Sequence, residues 1–199
     1  MKKETMSIVK NSINTEAKAI LDILTYLDEE SFTKAVDAIC KSERIITCAS
    51  GSSGIAAMKL AHSLCCVERP AKFMSPAEAV HGGLGCVQQG DTVIMVSRGG
   101  KTVELLPIID VVKRKKATLV AVTENVDSPL ALNSDILIPM HIEKETDRLN
   151  VMATASFAAT IAIFDAIIVA VMEETDYKKE QFALIHPGGA VGELLKQYK

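Results

Sequence analysis

Two short stretches combine hydroxyls with glycines, each after an apolar run and ahead of a helical pattern: Ala49-Ser50-Gly51-Ser52-Ser53-Gly54 and Ser97-Arg98-Gly99-Gly100-Lys101-Thr102. Small residues let backbone N–H groups and hydroxyls approach an anion, and the start of a helix adds partial positive charge. A phosphate cradle is the chemistry such turns support. A plain glycine turn with a serine helix cap uses the same residues, so the first stretch alone leaves both readings open. The second stretch repeats the pattern and adds weight to the cradle. Arg98 and Lys101 can each add a charge-assisted contact to a dianionic phosphate, or point into solvent. Neither turn matches GxxxxGK[ST] or GxGxxG, so no nucleotide cofactor is indicated.

Two histidines sit among glycines, in His81-Gly82-Gly83-Leu84-Gly85 and His186-Pro187-Gly188-Gly189-Ala190. Both can titrate near neutral pH, which suits an acid–base role as well as it suits an ordinary hydrogen-bonded or surface histidine. His62 lies within a helical pattern and His141 just after a strand, and both read as structural or solvent-facing. Cys40, Cys48, Cys65, Cys66 and Cys86 form an odd set without a CxxC spacing. They read as reduced thiols that behave as small apolar residues, not as disulfides or metal ligands.

These residues need a frame, and the rhythm of the chain supplies one. From Arg44 onwards short apolar runs alternate with longer helical stretches, the pattern of a parallel sheet with crossover helices. The spacing predicts strands at Arg44–Ala49, Ala71–Met74, Asp91–Ser97, Thr118–Thr123 and Ile136–Met140. Two amphipathic helices, Thr15–Leu27 and Phe32–Cys40, precede the sheet. Further helices are predicted at Ser53–Cys66, Lys101–Lys115 and Val151–Glu174, with shorter ones at Asp176–Phe182 and Val191–Gln197. Pro107 falls early in the second of these, where a modest bend accommodates it. In an open parallel sheet the ligand site lies beyond the carboxyl ends of the strands, which is where both hydroxyl-bearing turns fall.

The bulk numbers narrow the classes. A chain of 199 residues suits one domain, read here as residues 1–199 with helices over about 3–41 ahead of the sheet. With 22 Lys+Arg against 25 Asp+Glu, the net charge of -3 offers no basic field for nucleic acid. The short basic start lacks an apolar signal core. The longest apolar stretch, Val151 to Met172, is broken by Thr154, Ser156, Thr160 and Asp165, so it reads as a buried helix and no membrane partner is expected. A soluble, cytoplasmic protein is the expectation.

The two turns, the stretch Ser75-Pro76-Ala77-Glu78-Ala79-Val80-His81-Gly82-Gly83-Leu84-Gly85 and the stretch Phe182-Ala183-Leu184-Ile185-His186-Pro187-Gly188-Gly189-Ala190-Val191-Gly192 together resemble the sugar-isomerase (SIS) domain family. Within it they resemble the arabinose 5-phosphate isomerases, from about Thr15 to Leu195, in a short form without the CBS pair that many members carry. The resemblance implies an α/β fold, a three-layer αβα sandwich with a five-stranded parallel flavodoxin-like sheet. It implies an isomerase that interconverts arabinose 5-phosphate and ribulose 5-phosphate through an enediol, with no cofactor and no metal. Matched position by position, its phosphate-binding hydroxyls fall on Ser53, Ser97 and Thr102, and its catalytic residues on His81, Glu145 and His186. A homotetramer, a dimer of dimers whose subunits complete one another's sites, is implied as well.

Three positions depart from the family's pattern. Ser52 stands where GxGKSG has lysine, Lys101 where SNSGES has glutamate, and Gly83 where HGDLG has aspartate. A lysine stays protonated at pH 7 and cannot replace a carboxylate as base. Two readings follow. In one, Lys101 restores the positive charge absent at Ser52, while Glu145 or a histidine moves the proton. In the other, the domain binds a sugar phosphate as a non-catalytic or regulatory module, or the enzyme serves a different sugar phosphate.

Overall fold

Continuous apolar runs become the central parallel strands here because both of their faces are buried. In the computed structural model, which describes residues 2–198, β1 (Ile45–Cys48), β2 (Ala71–Phe73), β3 (Thr92–Val96), β4 (Thr118–Thr123) and β5 (Ile136–Pro139) form one sheet. All neighbours pair in parallel, in the order β2-β1-β3-β4-β5. Each expected strand is present, and the order is the flavodoxin-like one. Cys48 of β1 lies level with Met95 of β3, so these two strands end side by side. From β1 the chain moves to β2 on one flank and then enters β3 on the other. That reversal opens a crevice between the β1 and β3 ends, the place where such sheets bind ligands.

Helices cover both faces. α1 (Lys2–Tyr26), α2 (Glu29–Lys41), α3 (Gly51–Cys66) and α7 (Ala155–Glu174) lie on one side; α4 (Pro76–Ala79), α5 (Leu106–Arg114) and α6 (Pro129–Asn133) lie on the other. The period of two in β3 assigns its side chains accordingly: Ile94 and Val96 pack with Leu60, Leu64 and Phe164, while Val93 and Met95 pack with Ile108 and Val112. Full burial of a side chain such as Phe164 contributes about 1.5–3 kcal/mol. α8 (Lys179–Ile185) and α9 (Gly189–Leu194) follow α7, ahead of a short 3-10 turn at Lys196–Tyr198.

Several helix bounds differ from expectation for identifiable reasons. α1 runs 25 residues and begins well before Thr15. The predicted Lys101–Lys115 helix starts only at Leu106, so Pro107 occupies the first turn, where its missing N–H costs nothing and no bend is needed. α7 starts at Ala155, not Val151, because the Asp147 carboxylate accepts the N–H groups of Leu149, Val151 and Met152 and holds them in a loop. The two terminal helices shift to the bounds given above. α7 is long and apolar enough to cross a membrane by length and composition. In this fold Ala159, Ile163, Phe164, Ile167 and Val171 form a stripe buried in the core, and α7 packs against α1, α2 and α3.

Candidate functional site

The β1 turn delivers an open helix start. Gly51 adopts φ +58°, which an L side chain rarely tolerates, and Gly54 lies so close to β1 that a Cβ would stand 2.9 Å from the Ala49 carbonyl oxygen. Ser50 precedes α3 but makes no side-chain cap bond, so the first-turn N–H groups stay uncapped. This favours the cradle over the plain serine cap. Ser52 is exposed and Ser53 half-buried.

The β3 turn is pinned at three points. Gly100 N donates to the Ser97 carbonyl and to Ser97 Oγ, each at 3.0 Å. The Arg98 carbonyl accepts from Glu124 N and Thr123 Oγ1, both at 3.0 Å, and the Gly100 carbonyl accepts from Leu130 N at 3.2 Å. Gly100 has φ +64°, and a Cβ there would collide with the Ser128 side chain. Ser97 Oγ and Thr102 Oγ1 lie 2.8 Å apart. Among the described residues, the N–H groups of Gly99, Lys101 and Thr102 find no partner in the chain. Free amides, paired hydroxyls and an uncapped helix start therefore converge at the β1/β3 crevice, a constellation suited to phosphate.

Arg98 reaches into the same region. It shares a small cleft with Ser52 and Ser53 of α3 and with Ser156, Phe157 and Thr160 of α7. Its guanidinium is gripped by two carboxylates: Nε donates to Glu124 Oε2 at 2.7 Å and Nη1 to Glu145 Oε1 at 2.9 Å. Lys101, by contrast, is exposed and makes no hydrogen bond among the described residues. The cation beside Ser52 is Arg98, contributed by the β3 turn. A groove of about 400 Å³ between α2 and α7 is larger, but its walls include Leu27, Phe32, Val36 and Ile167 and suit apolar groups.

Glu145 sits at the start of α7 with its side chain 1% exposed. Its Oε2 accepts from Thr154 N, Thr154 Oγ1 and Ser156 N at 3.0–3.1 Å. Burial pushes its carboxyl upward, but the hydrogen bonds from Ser156 and Thr154 prevail and hold it below the usual carboxylate range. The carboxylate thus stays ionised and occupies the positive end of α7.

The two histidines stand elsewhere. His81 follows α4 on the segment that leaves β2 at the cradle's edge of the sheet; it is exposed, and its ring makes no hydrogen bond among the described residues. His186 caps the end of α8, its ring stacked on Phe182 at 3.9 Å between centroids. α8 departs from the far end of α7, and its Gln181 bonds Glu68, just past the end of α3. The contacts of His186 are thus with its own α8, where its Nδ1 also lies 3.1 Å from the Phe182 carbonyl oxygen, and among the described residues no cradle residue is its partner.

Sequence reasoning missed Glu124, which links the ends of three strands. It holds Arg98, while its Oε1 accepts from Ile142 N at 3.3 Å and pairs with His141 Nδ1 at 2.8 Å. No local motif marks it; the only signal is a charge directly after an apolar strand. His141 is solvent-facing as expected, with Glu124 on its Nδ1 and the Tyr26 ring edge-on to its own. All five cysteines are free, and burial pushes the Cys48 thiol up to about 12.

Comparison with known proteins agrees with this geometry. The family model for the SIS domain matches residues 38–170. Arabinose 5-phosphate isomerase KdsD of Pseudomonas aeruginosa is 32% identical over 187 residues, which cover 94% of this chain and 57% of that protein. KpsF of Escherichia coli, also an arabinose 5-phosphate isomerase, is 31% identical over 189 residues, covering 94% and 58%. The chain thus spans somewhat more than half the length of these curated relatives. Among solved structures, a candidate sugar-phosphate isomerase from Listeria monocytogenes superposes with a TM-score of 0.92 at 45% identity, covering 94% of this chain and 99% of that one. A protein of Escherichia coli CFT073 in complex with arabinose 5-phosphate superposes with a TM-score of 0.87 at 27% identity, covering 94% and 100%. With its five-stranded sheet, its crevice and two thirds of its length matched, this chain belongs to the SIS domain family.

Proposed function

We propose that this protein is a phosphosugar isomerase that interconverts arabinose 5-phosphate and ribulose 5-phosphate. The observation that carries it is the convergence at the β1/β3 crevice of the uncapped α3 start, the Ser97–Thr102 hydroxyl pair and Arg98. The identity of the sugar is supported by the named activity of the curated relatives and by the structural neighbour that holds arabinose 5-phosphate. Ser53, Ser97 and Thr102 hold the phosphate, with Ser52 and Arg98 alongside and Lys101 at the rim. Aldose–ketose exchange then moves a proton from C2 to C1 through an enediol while a second proton passes between the oxygens, so an acid–base group must face these carbons. His81 and His186 are assigned that role. Glu145 holds Arg98 through Oε1 and the start of α7 through Oε2, and the single bond on Oε1 leaves that oxygen able to take part beside the histidines.

With α8 tied through Gln181 to Glu68, beyond the end of α3, His186 serves the cradle of another copy, in a homotetramer with shared sites. Five free thiols fit the reducing cytoplasm as its compartment. Incubation with arabinose 5-phosphate is expected to yield ribulose 5-phosphate, and a rate no higher than that of the His81→Ala, His186→Ala double variant overturns the reading. The exposed Lys101 and the bonded Glu145 favour a second reading, a module that binds the sugar phosphate without turnover. Saturable binding with no product separates it from the first.

A further inference from the structure

We propose that Glu124, at the C-terminal end of β4, is a positioning residue that sets the Arg98 guanidinium in the cleft and so governs affinity for a phosphorylated sugar. The proposal rests on the reading that this crevice takes such a ligand. Glu124 fixes Arg98 twice, through its own N–H to the Arg98 carbonyl at 3.0 Å and through Oε2 to Nε at 2.7 Å. Its other oxygen is tied to Ile142 N and His141, so the carboxylate cannot swing away without leaving bonds at the end of β5. A guanidinium is planar, so two fixed edges determine the third. With Nε on Glu124 and Nη1 on Glu145, Nη2 has no partner among the described residues and is the edge left for a ligand. An arginine held by one partner alone would regain rotamers and lose that aim.

Positioning and plain charge predict opposite results, because a carboxylate beside a phosphate site repels the ligand. Glutamine keeps an oxygen that can accept from Nε but removes the charge, aspartate keeps the charge but falls one methylene short, and alanine removes both. The test measures the Kd of arabinose 5-phosphate by calorimetry on the full chain and its variants, with a melting curve for each. Glu124→Ala and Glu124→Asp are expected to weaken binding about five- to tenfold, the loss of one charge-assisted aim, while Glu124→Gln stays within about twofold of the wild type. In an Arg98→Ala background, Glu124→Ala is expected to change nothing further.

Tighter binding in Glu124→Gln and Glu124→Ala alike would show that Glu124 acts by repulsion and overturn the proposal, as would an undiminished loss in the Arg98→Ala background. Wild-type binding with Glu124→Ala unaffected removes Glu124 alone and leaves the site standing. Failure of the wild type to bind arabinose 5-phosphate, ribose 5-phosphate or glucose 6-phosphate overturns the crevice reading and the proposal with it. Should Glu124→Ala not fold, the contrast between Glu124→Gln and Glu124→Asp carries the same decision.

Discussion

Arg98 and Glu145 meet across 2.9 Å, and that single pair joins the β3 turn to the start of α7. Because the Glu145 carboxyl is held below its ordinary range, folding favours its ionised form. Its stabilising contribution is complete above the usual carboxylate range and is lost as pH falls through the lowered folded value. Glu145→Gln is expected to destabilise the protein by about 2 kcal/mol at pH 7, since a buried charged hydrogen-bond acceptor is removed. In melting curves that corresponds to roughly 4–8 °C for a chain of this size. The gap should narrow as the pH falls below the usual carboxylate range, and a gap that stays constant contradicts the assignment.

The hydroxyl pair of the β3 turn offers a cleaner probe of ligand binding. Ser97 is buried and Thr102 half-buried, and each is the other's partner at 2.8 Å. Thr102→Val keeps the shape and removes one hydroxyl, so stability should move little. Affinity for arabinose 5-phosphate should fall about three- to tenfold, the worth of one hydrogen bond. Calorimetry on the full chain measures it, and an unchanged affinity moves the phosphate elsewhere.

How much of the molecule is legible in its sequence depends on how local the signal is. The five strands and both glycine turns are local patterns, and each falls where expected because continuous apolar runs and glycine have few other uses at those places. The Arg98–Glu124–His141 chain links residues 26 and 17 positions apart, and no periodicity reports such a link. The start of α7 lies later than its pattern suggests because Val151 and Met152 look helical, whereas Asp147 captures their N–H groups from a distance of four and five residues. Lys101 illustrates the same limit. Spacing allows it to restore the charge missing at Ser52, but the fold places Arg98 beside Ser52 and leaves Lys101 in solvent.

The glycines of the two turns should respond differently to alanine. At Gly54 the added methyl meets the Ala49 carbonyl oxygen at 2.9 Å and pries α3 from β1, at a cost of about 1–3 kcal/mol. At Gly100 both φ and the Ser128 side chain oppose it, so the cost is larger and the β3 turn deforms, with loss of ligand binding. At Gly51 nothing stands within 4 Å, and only the positive φ is strained, about 1 kcal/mol. Thermal melts that fail to rank Gly51→Ala as the mildest of the three would contradict this picture of the turns.

His186 provides the decisive test of shared sites. It lies past the far end of α7, on the side marked by Glu68, whereas Ser97 and Thr102 lie at the ligand edge of the sheet. On the shared-site reading the two groups come from two copies. Two inactive variants, His186→Ala and the Ser97→Ala, Thr102→Ala pair, are therefore expected to complement when subunits are exchanged at equal amounts. A copy with an intact cradle then meets a copy with an intact histidine at about a quarter of the sites, as random pairing of an interface between copies requires. Recovery of activity towards that fraction after exchange supports sharing. Persistent inactivity, with exchange verified by native mass spectrometry, means that each cradle works without His186 of another copy.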